Sequence, residues 1–223
     1  QILPIIDFSG SMSTAASGSI TCRDVATSLG MYCSARINPN SPFHKVVIPF
    51  SNKARFVDWK NFPFSTAAIR LLVETEVANT DISAVFKLIL STAVQHKIPQ
   101  SDMPSVLLIL SDMQFNQGVN CGDDTVFEKF RKDFQKAGHT MPRVVFWNLA
   151  GARGGKQATS RQKNVVMVSG FAPASMANTL NSALLTPAQV MESVIAKYET
   201  MVTVPVTMTA KAPKARKAKV ATA

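Results

Sequence analysis

Three short segments carry side-chain oxygens in a pattern that suits one hard divalent cation: Asp7-Phe8-Ser9-Gly10-Ser11, Asn79-Thr80-Asp81 and Ser111-Asp112. Mg²⁺ takes about six oxygen ligands in near-octahedral geometry and keeps several waters among them. Ser9 and Ser11 offer neutral hydroxyls, and Thr80 offers a third from a separate segment. Asp7 and Asp112 offer carboxylates that either bind the ion or orient its waters. Gly10 is expected to allow a sharp turn that brings both serines to one point. Asp81 is expected to support the site or the start of the following helix. Few formal charges would touch the ion, so it stays electrophilic, and an Asp or Glu of a partner would complete its shell. The plainer reading is that Asp7, Ser9 and Ser11 cap a helix, but that accounts for one segment of the three.

Strands and helices must gather these segments. Residues 2–6 and 105–110 (SVLLIL) are apolar runs that lead straight into the first and third segments and read as strands buried on both faces. Residues 45–50 (KVVIPF) read as a further strand, 143–149 (RVVFWNL) and 164–168 (NVVMV) as two more buried strands, and the alternating 54–59 (ARFVDW) as a hairpin partner on the sheet edge. Helical spacing predicts helices over 21–37, 67–77, 81–96 with Thr80 as cap, 124–138, 175–184 and 187–198. In the fourth of these, Phe127, Phe130 and Phe134 share a face and Gly138 closes the helix. The expected fold class is α/β: a doubly wound, mostly parallel six-stranded sheet with one antiparallel edge strand and helices on both faces. It would fill residues 1–203, with a basic, disordered tail over 204–223. In such sheets ligands bind beyond the carboxyl ends of the strands, where the winding reverses.

The charge balance bears on partners. The 223 residues hold 24 Lys and Arg against 14 Asp and Glu, a net charge of +10. Five of the cations, Lys211, Lys214, Arg216, Lys217 and Lys219, lie in the tail, which leaves 19 against 14 on the body. Arg153, Lys156, Arg161 and Lys163 form a second basic group in a Gly-rich loop. Each group reads as a solvated segment or as a contact for RNA phosphates. Cys22 and Cys33 are eleven residues apart, about 16 Å along a shared helix, too far for a disulfide. With Cys121 they are expected to be free thiols in a reducing compartment, so intracellular and cytoplasmic. There is no apolar run of membrane-spanning length and no signal peptide. The start at Gln1 suggests a fragment or processed product. Asp24, Asp102, His44, His96 and His139 are expected at the surface, and Met12 and Met113 either in the core or on an apolar rim of the ion site.

The spacing Asp7-x-Ser9-x-Ser11, with Thr80 and Asp112 following in matching order and strand contexts, resembles the metal-ion-dependent adhesion site (MIDAS) of von Willebrand factor A (vWA) domains over about residues 1–200. The resemblance implies a Rossmann-like domain that holds Mg²⁺ or Mn²⁺ and grips a protein partner's Asp or Glu for adhesion or scaffolding, with no catalytic residue. A Mg²⁺-dependent hydrolase fits less well, since Ser9 stands where D-x-D phosphatases place a second Asp. The usual Gly-Gly before the loop-two threonine is Ala78-Asn79 here, a departure expected to alter the loop's geometry without removing the ligand. Thr80-Asp81, Ser111-Asp112-Met113-Gln114-Phe115, Val145-Phe146-Trp147-Asn148 and Val168-Ser169-Gly170-Phe171 resemble the vWA half of Ro (TROVE) ribonucleoproteins. They resemble still more an uncharacterised viral, bacterial and plant group with that architecture. This implies an upstream helical-repeat half in the same precursor, a viral origin as one source, and an alternative function as an RNA-associated Ro-like component. In Ro proteins the helical half binds most of the RNA, so RNA binding does not carry over cleanly.

Overall fold

The computed structural model describes residues 1–50, 54–75, 82–113, 124–150, 165–170, 191–192 and 195–196. The chain divides into two compact units, Gln1–Leu184 and Leu185–Ala223. In the second, Met191, Glu192, Ile195 and Ala196 are helical, within the expected helix 187–198. The expected helix 175–184, the 203/204 domain boundary and the basic tail lie outside the described residues.

In the first unit the order is β1 (Ile2–Asp7), a 3₁₀ turn (Gly10–Ser13), β2 (Ala15–Ser17), β3 (Ile20–Thr21), α1 (Cys22–Ala35), β4 (Val46–Phe50), β5 (Val57–Asp58), α2 (Phe64–Glu74), α3 (Ile82–Gln95), β6 (Val106–Ser111), α4 (Asp124–Lys136), β7 (Arg143–Asn148) and β8 (Val165–Ser169). Six strands form one sheet in the order β5-β4-β1-β6-β7-β8. β5 runs antiparallel to β4, and the other pairs are parallel. The expected α/β fold with its antiparallel edge is therefore present. A second, two-stranded piece, β2–β3, was not expected; it turns through Gly18 at φ +56°.

The side-chain period of two along each strand splits the core into two layers. Leu3 and Ile5 of β1, Leu107 and Ile109 of β6, and Val144 and Phe146 of β7 pack with α3 and α4. Ile6, Leu108, Leu110, Val145 and Trp147 point the other way and pack with α1 and α2. Both layers are buried, which is why these strands read as continuous apolar runs rather than alternating ones.

Local signals close the helices. Thr21 caps α1: its hydroxyl accepts from Asp24 N, and Asp24 Oδ2 accepts from Thr21 N at 2.9 Å. Asp24 is thus half of a capping box rather than a bare surface residue. After α4, Gly138 takes φ +79°, its N–H donates to Gln135 O and His139 N–H donates to Phe134 O. That is the expected glycine stop.

α1 lies close against β1 and β6 because Gly30 has no side chain. A Cβ there would sit 2.7 Å from Ile6 Cδ1 and 2.9 Å from Ile6 Cγ1. We expect Gly30→Ala to destabilise the unit by about 1–3 kcal/mol, since overpacking outweighs the helix-propensity gain. Urea unfolding checks this, and an unchanged or raised midpoint would show that the layer gives way freely.

Candidate metal centre

β1 ends in Asp7, and the register Ile6↔Leu110 sets Asp7 beside Ser111 at the end of β6. The two strands are neighbours because the chain builds β4 and β5 on one side of β1 and then returns to lay β6 on the other. Loops that leave β1 and β6 therefore emerge together, at the point where the winding reverses.

Asp7 is fully buried, and both its carboxylate oxygens are engaged: Oδ1 accepts from Ser9 N at 2.8 Å and Oδ2 from Ser111 Oγ at 2.6 Å. Ser111 Oγ in turn accepts from Met113 N at 2.9 Å, where the chain takes φ +64°. Asp112 is also buried, and its N–H donates to Met12 Sδ at 3.1 Å, which ties the first loop to the third. Above this base, Ser9 Oγ and Ser11 Oγ stand 3.1 Å apart. They cap no helix: the 3₁₀ turn has no side-chain cap bond, and α1 is capped by Thr21. The plain capping explanation of Asp7, Ser9 and Ser11 therefore fails.

The electrostatics are those of a site short of positive charge. Burial raises the Asp7 pKa above its ordinary value; the bonds from Ser111 and Ser9 oppose this, and the Asp112 charge adds to it. Burial and the same Asp112 charge also raise the Cys22 thiol. Two buried carboxylates within electrostatic reach of each other favour an intervening cation.

The donor set fits a hard ion. Two oxygens on adjacent vertices of an octahedron with bonds of about 2.1 Å are about 3.0 Å apart, close to the Ser9–Ser11 separation of 3.1 Å. Among the described residues no three His, Cys, Asp or Glu side chains gather in one place. The set consists of two carboxylates and two hydroxyls, which suits Mg²⁺ or Mn²⁺ better than a thiophilic ion.

Asp7, Ser9, Ser11 and Asp112 are thus brought together. Thr80, Asp81, Ala78 and Asn79 lie outside the described residues, as do Cys121 and the basic group Arg153, Lys156, Arg161 and Lys163. Gly10 opens the 3₁₀ turn without positive φ. Met12 and Met113 are fully buried, one in each core layer, and form no rim. His96 is exposed as expected, whereas His44 is half-buried with Nδ1 2.7 Å from Ile37 O, and His139 is half-buried too. Asp102 is exposed. Cys22 and Cys33 are buried free thiols on α1, and burial pushes the Cys33 pKa up to about 12. Sequence reasoning named Ser111 in the third segment but gave it no role of its own; the structure shows it joining Asp7 to the third loop.

Residues 1–219 match the family described as Domain of unknown function (DUF7788). The chain belongs to the DUF7788 family. This DUF7788 chain is 28% identical over 204 residues to the uncharacterised protein L728 of Acanthamoeba polyphaga mimivirus, covering 89% of the chain and 33% of that protein. It therefore spans about a third of the curated relative that it matches. Its fold is similar to the crystal structure of the Deinococcus radiodurans Ro (RSR) protein, with 18% identity, 80% of this chain and 33% of that one covered, and a TM-score of 0.51. With the sheet order above, the DUF7788 chain has the expected vWA-type fold. A more distant likeness is the mussel byssus protein PTMP1 with a zinc-occupied MIDAS motif, at 12% identity, 81% and 46% coverage and a TM-score of 0.46. The zinc is a property of the mussel protein. Among the described residues, no helix is long and apolar enough to cross a membrane.

Proposed function

We propose that this domain is a divalent-cation-dependent binding module. Ser9 and Ser11 hold Mg²⁺ or Mn²⁺ directly, Asp7 and Asp112 bind it or orient its waters, and Thr80 adds a hydroxyl from the second loop. A protein partner's Asp or Glu completes the shell, for adhesion or scaffolding. The observation that carries the reading is the hydroxyl pair 3.1 Å apart over two buried carboxylates, at the switch point of the sheet. When bound, the ion supplies an electrophilic centre for a carboxylate. The chain's own part is to exclude water below the site and to hold the serines in register through Asp7 and Ser111.

Binding is favoured over turnover because both Asp7 oxygens already accept hydrogen bonds, which leaves it poorly placed as a nucleophile. The buried free thiols Cys22 and Cys33 fit a reducing, intracellular setting.

Calorimetric titration of Mg²⁺ and Mn²⁺ tests the site. Wild type should bind one ion, and Ser9→Ala with Ser11→Ala should weaken binding by about 10–100-fold or more, the loss typical of even an outer partner. Absence of binding to the wild type would end the reading.

The net charge of +10 favours a second reading, an RNA-associated component of Ro type. It requires RNA retention that falls steeply as salt rises, and filter binding with no retention at low salt would remove it.

A further inference from the structure

The turn that carries Ser11 runs straight into a surface that the proposed ion site does not use. Thr14 closes the turn: its N–H and hydroxyl donate to Ser11 O at 3.0 and 2.7 Å, and its own carbonyl accepts from Cys22 N at 2.9 Å. Between these bonds lies the β2–β3 hairpin, in which Ala15 pairs with Thr21 and Ser17 with Ile20. Residues 13–20 carry no charged side chain, and all but Ala16 are exposed. Ile20 also lines a groove of about 650 Å³ along α1, with Val25, Leu29, Tyr32, Phe64 and Trp147. Trp147 is fully buried and its indole N–H donates to Gly170 O, so it forms the floor. Ile20, Tyr32 and Phe64 are the open walls, at 51%, 39% and 44% exposed.

Three large apolar side chains left in water around one groove mark an interaction surface. The polar lining is Asp24 and Ser28. Asp24 Oδ2 accepts from Thr21 N and Thr21 Oγ1 at 2.9 and 2.7 Å, and its charge turns acids away from the groove while an uncharged side chain enters freely. A cation at the serines attracts what Asp24 repels. The two places are close: the chain covers at most about 11 Å from Ser11 to Ala15, at about 2.0 Å per residue in the 3₁₀ turn and 3.3 Å beyond it. The cross-strand step to Thr21, next to Ile20, adds about 5 Å. A net charge of +10 repels further copies of the chain and draws an acidic partner. We propose that the ion site and this groove together receive one extended segment of a partner protein. Its Asp or Glu sits on the ion, and a large apolar side chain about three to five residues away packs in the groove against Ile20 and Tyr32. The inference rests on the cation-binding reading above and adds the pattern of the partner.

The test is selection of random dodecapeptides displayed on phage against the full chain in Mg²⁺, with elution by EDTA. The eluted peptides should share an Asp or Glu with a large apolar residue about three to five positions away. A fluorescein-labelled peptide of the selected pattern, followed by anisotropy, should bind Ile20→Ser and Tyr32→Ser about tenfold or more weakly than wild type, the loss expected for one buried apolar side chain. Calorimetric Mg²⁺ binding by both variants should match wild type, with thermal melts to confirm folding. The proposal is overturned if the eluted peptides share an acid but no apolar companion, or if both variants bind the peptide as tightly as wild type. It is also overturned if light scattering shows a dimer that Tyr32→Ser separates, since the groove then holds a second copy. Wild type that binds Mg²⁺ but yields no EDTA-eluted peptide overturns this inference and leaves the ion site standing, whereas wild type that binds no Mg²⁺ overturns both.

Discussion

Asp7→Asn will remove most of the stabilisation that a divalent cation confers, and in EDTA it will melt at or above the wild type near neutral pH. A ligand present at 100 times its Kd stabilises a protein by about 2.7 kcal/mol, or roughly 5–11 °C in Tm for a domain of this size. If losing the Asp7 charge weakens binding about 100-fold, the same concentration gives about 0.4 kcal/mol, or roughly 1–2 °C. The second half of the prediction follows from burial. The Asp7 pKa is raised above the ordinary carboxylate value, first by desolvation, with Asp112 adding to the effect. A raised carboxyl contributes stability that is fully present below the unfolded pKa of about 3.9 and is lost as pH rises through the folded value. Metal-free wild type should therefore lose stability relative to Asp7→Asn on going from about pH 4 upward. A bound cation favours the ionised form, so Mg²⁺ should abolish that loss. Thermal melts of both proteins across this pH range, in EDTA and in Mg²⁺, check both halves. Parallel profiles in EDTA would mean that Asp7 is not held at a cost, and an undiminished Mg²⁺ response in the variant would place the ion elsewhere.

Phe86→Ala will remove a large share of the unit's stability. Phe86, on α3, is 1% exposed and packs against α4. Its ring stacks on Phe130 at 4.8 Å and meets Phe127 edge-on at 6.0 Å, and Phe127 meets Phe146 of β7 edge-on at 6.5 Å. The rings thus join α3, α4 and β7, and removing one leaves a cavity that rigid neighbours on three elements cannot close. The expected loss is about 3–5 kcal/mol, against a total of about 5–15 kcal/mol for a domain. Denaturant midpoints should fall accordingly, and Phe86→Leu should recover much of the difference because it refills most of the volume. A loss below about 1 kcal/mol would show that the layer collapses around the gap.

These two substitutions separate the parts of the domain. Phe86 belongs to the core layer on one face of the sheet. Asp7 holds the site together and, without a cation, weakens the sheet that carries it. Under the proposed binding function that conflict has a use, because a buried carboxylate that accepts from Ser9 N would also favour a cation.

The central strands were legible because burial on both faces demands unbroken apolar runs, and SVLLIL or RVVFWNL admits few other readings, whereas the expected burial of 164–168 is not found: β8 ends the sheet and Met167 is 44% exposed. The face of α4 was legible for a related reason: Phe127, Phe130 and Phe134 fall on one side at helical spacing, and all three are buried. The hairpin β2–β3 escaped notice, since its three- and two-residue strands carry no period long enough to register and only Gly18-Ser19 marks its turn. Asp24 is half-buried and also completes the capping box with Thr21, a role that the Thr21-x-x-Asp24 spacing at the expected helix start offered but that was not drawn from it. The methionines could not be placed either, since nothing in their type says whether a flexible apolar chain fills a core or lines a rim.

The order of residues alone determined which side chains could bind an ion and which runs must be strands, because residue chemistry and periodicity are local properties. Only the tertiary structure decided that β1 and β6 lie side by side, that Ser111 bonds Asp7 across 104 residues, and that Met12 links the two loops. Strand order depends on which crossover connections pack their helices best over the whole sheet, and no short window of sequence contains that balance.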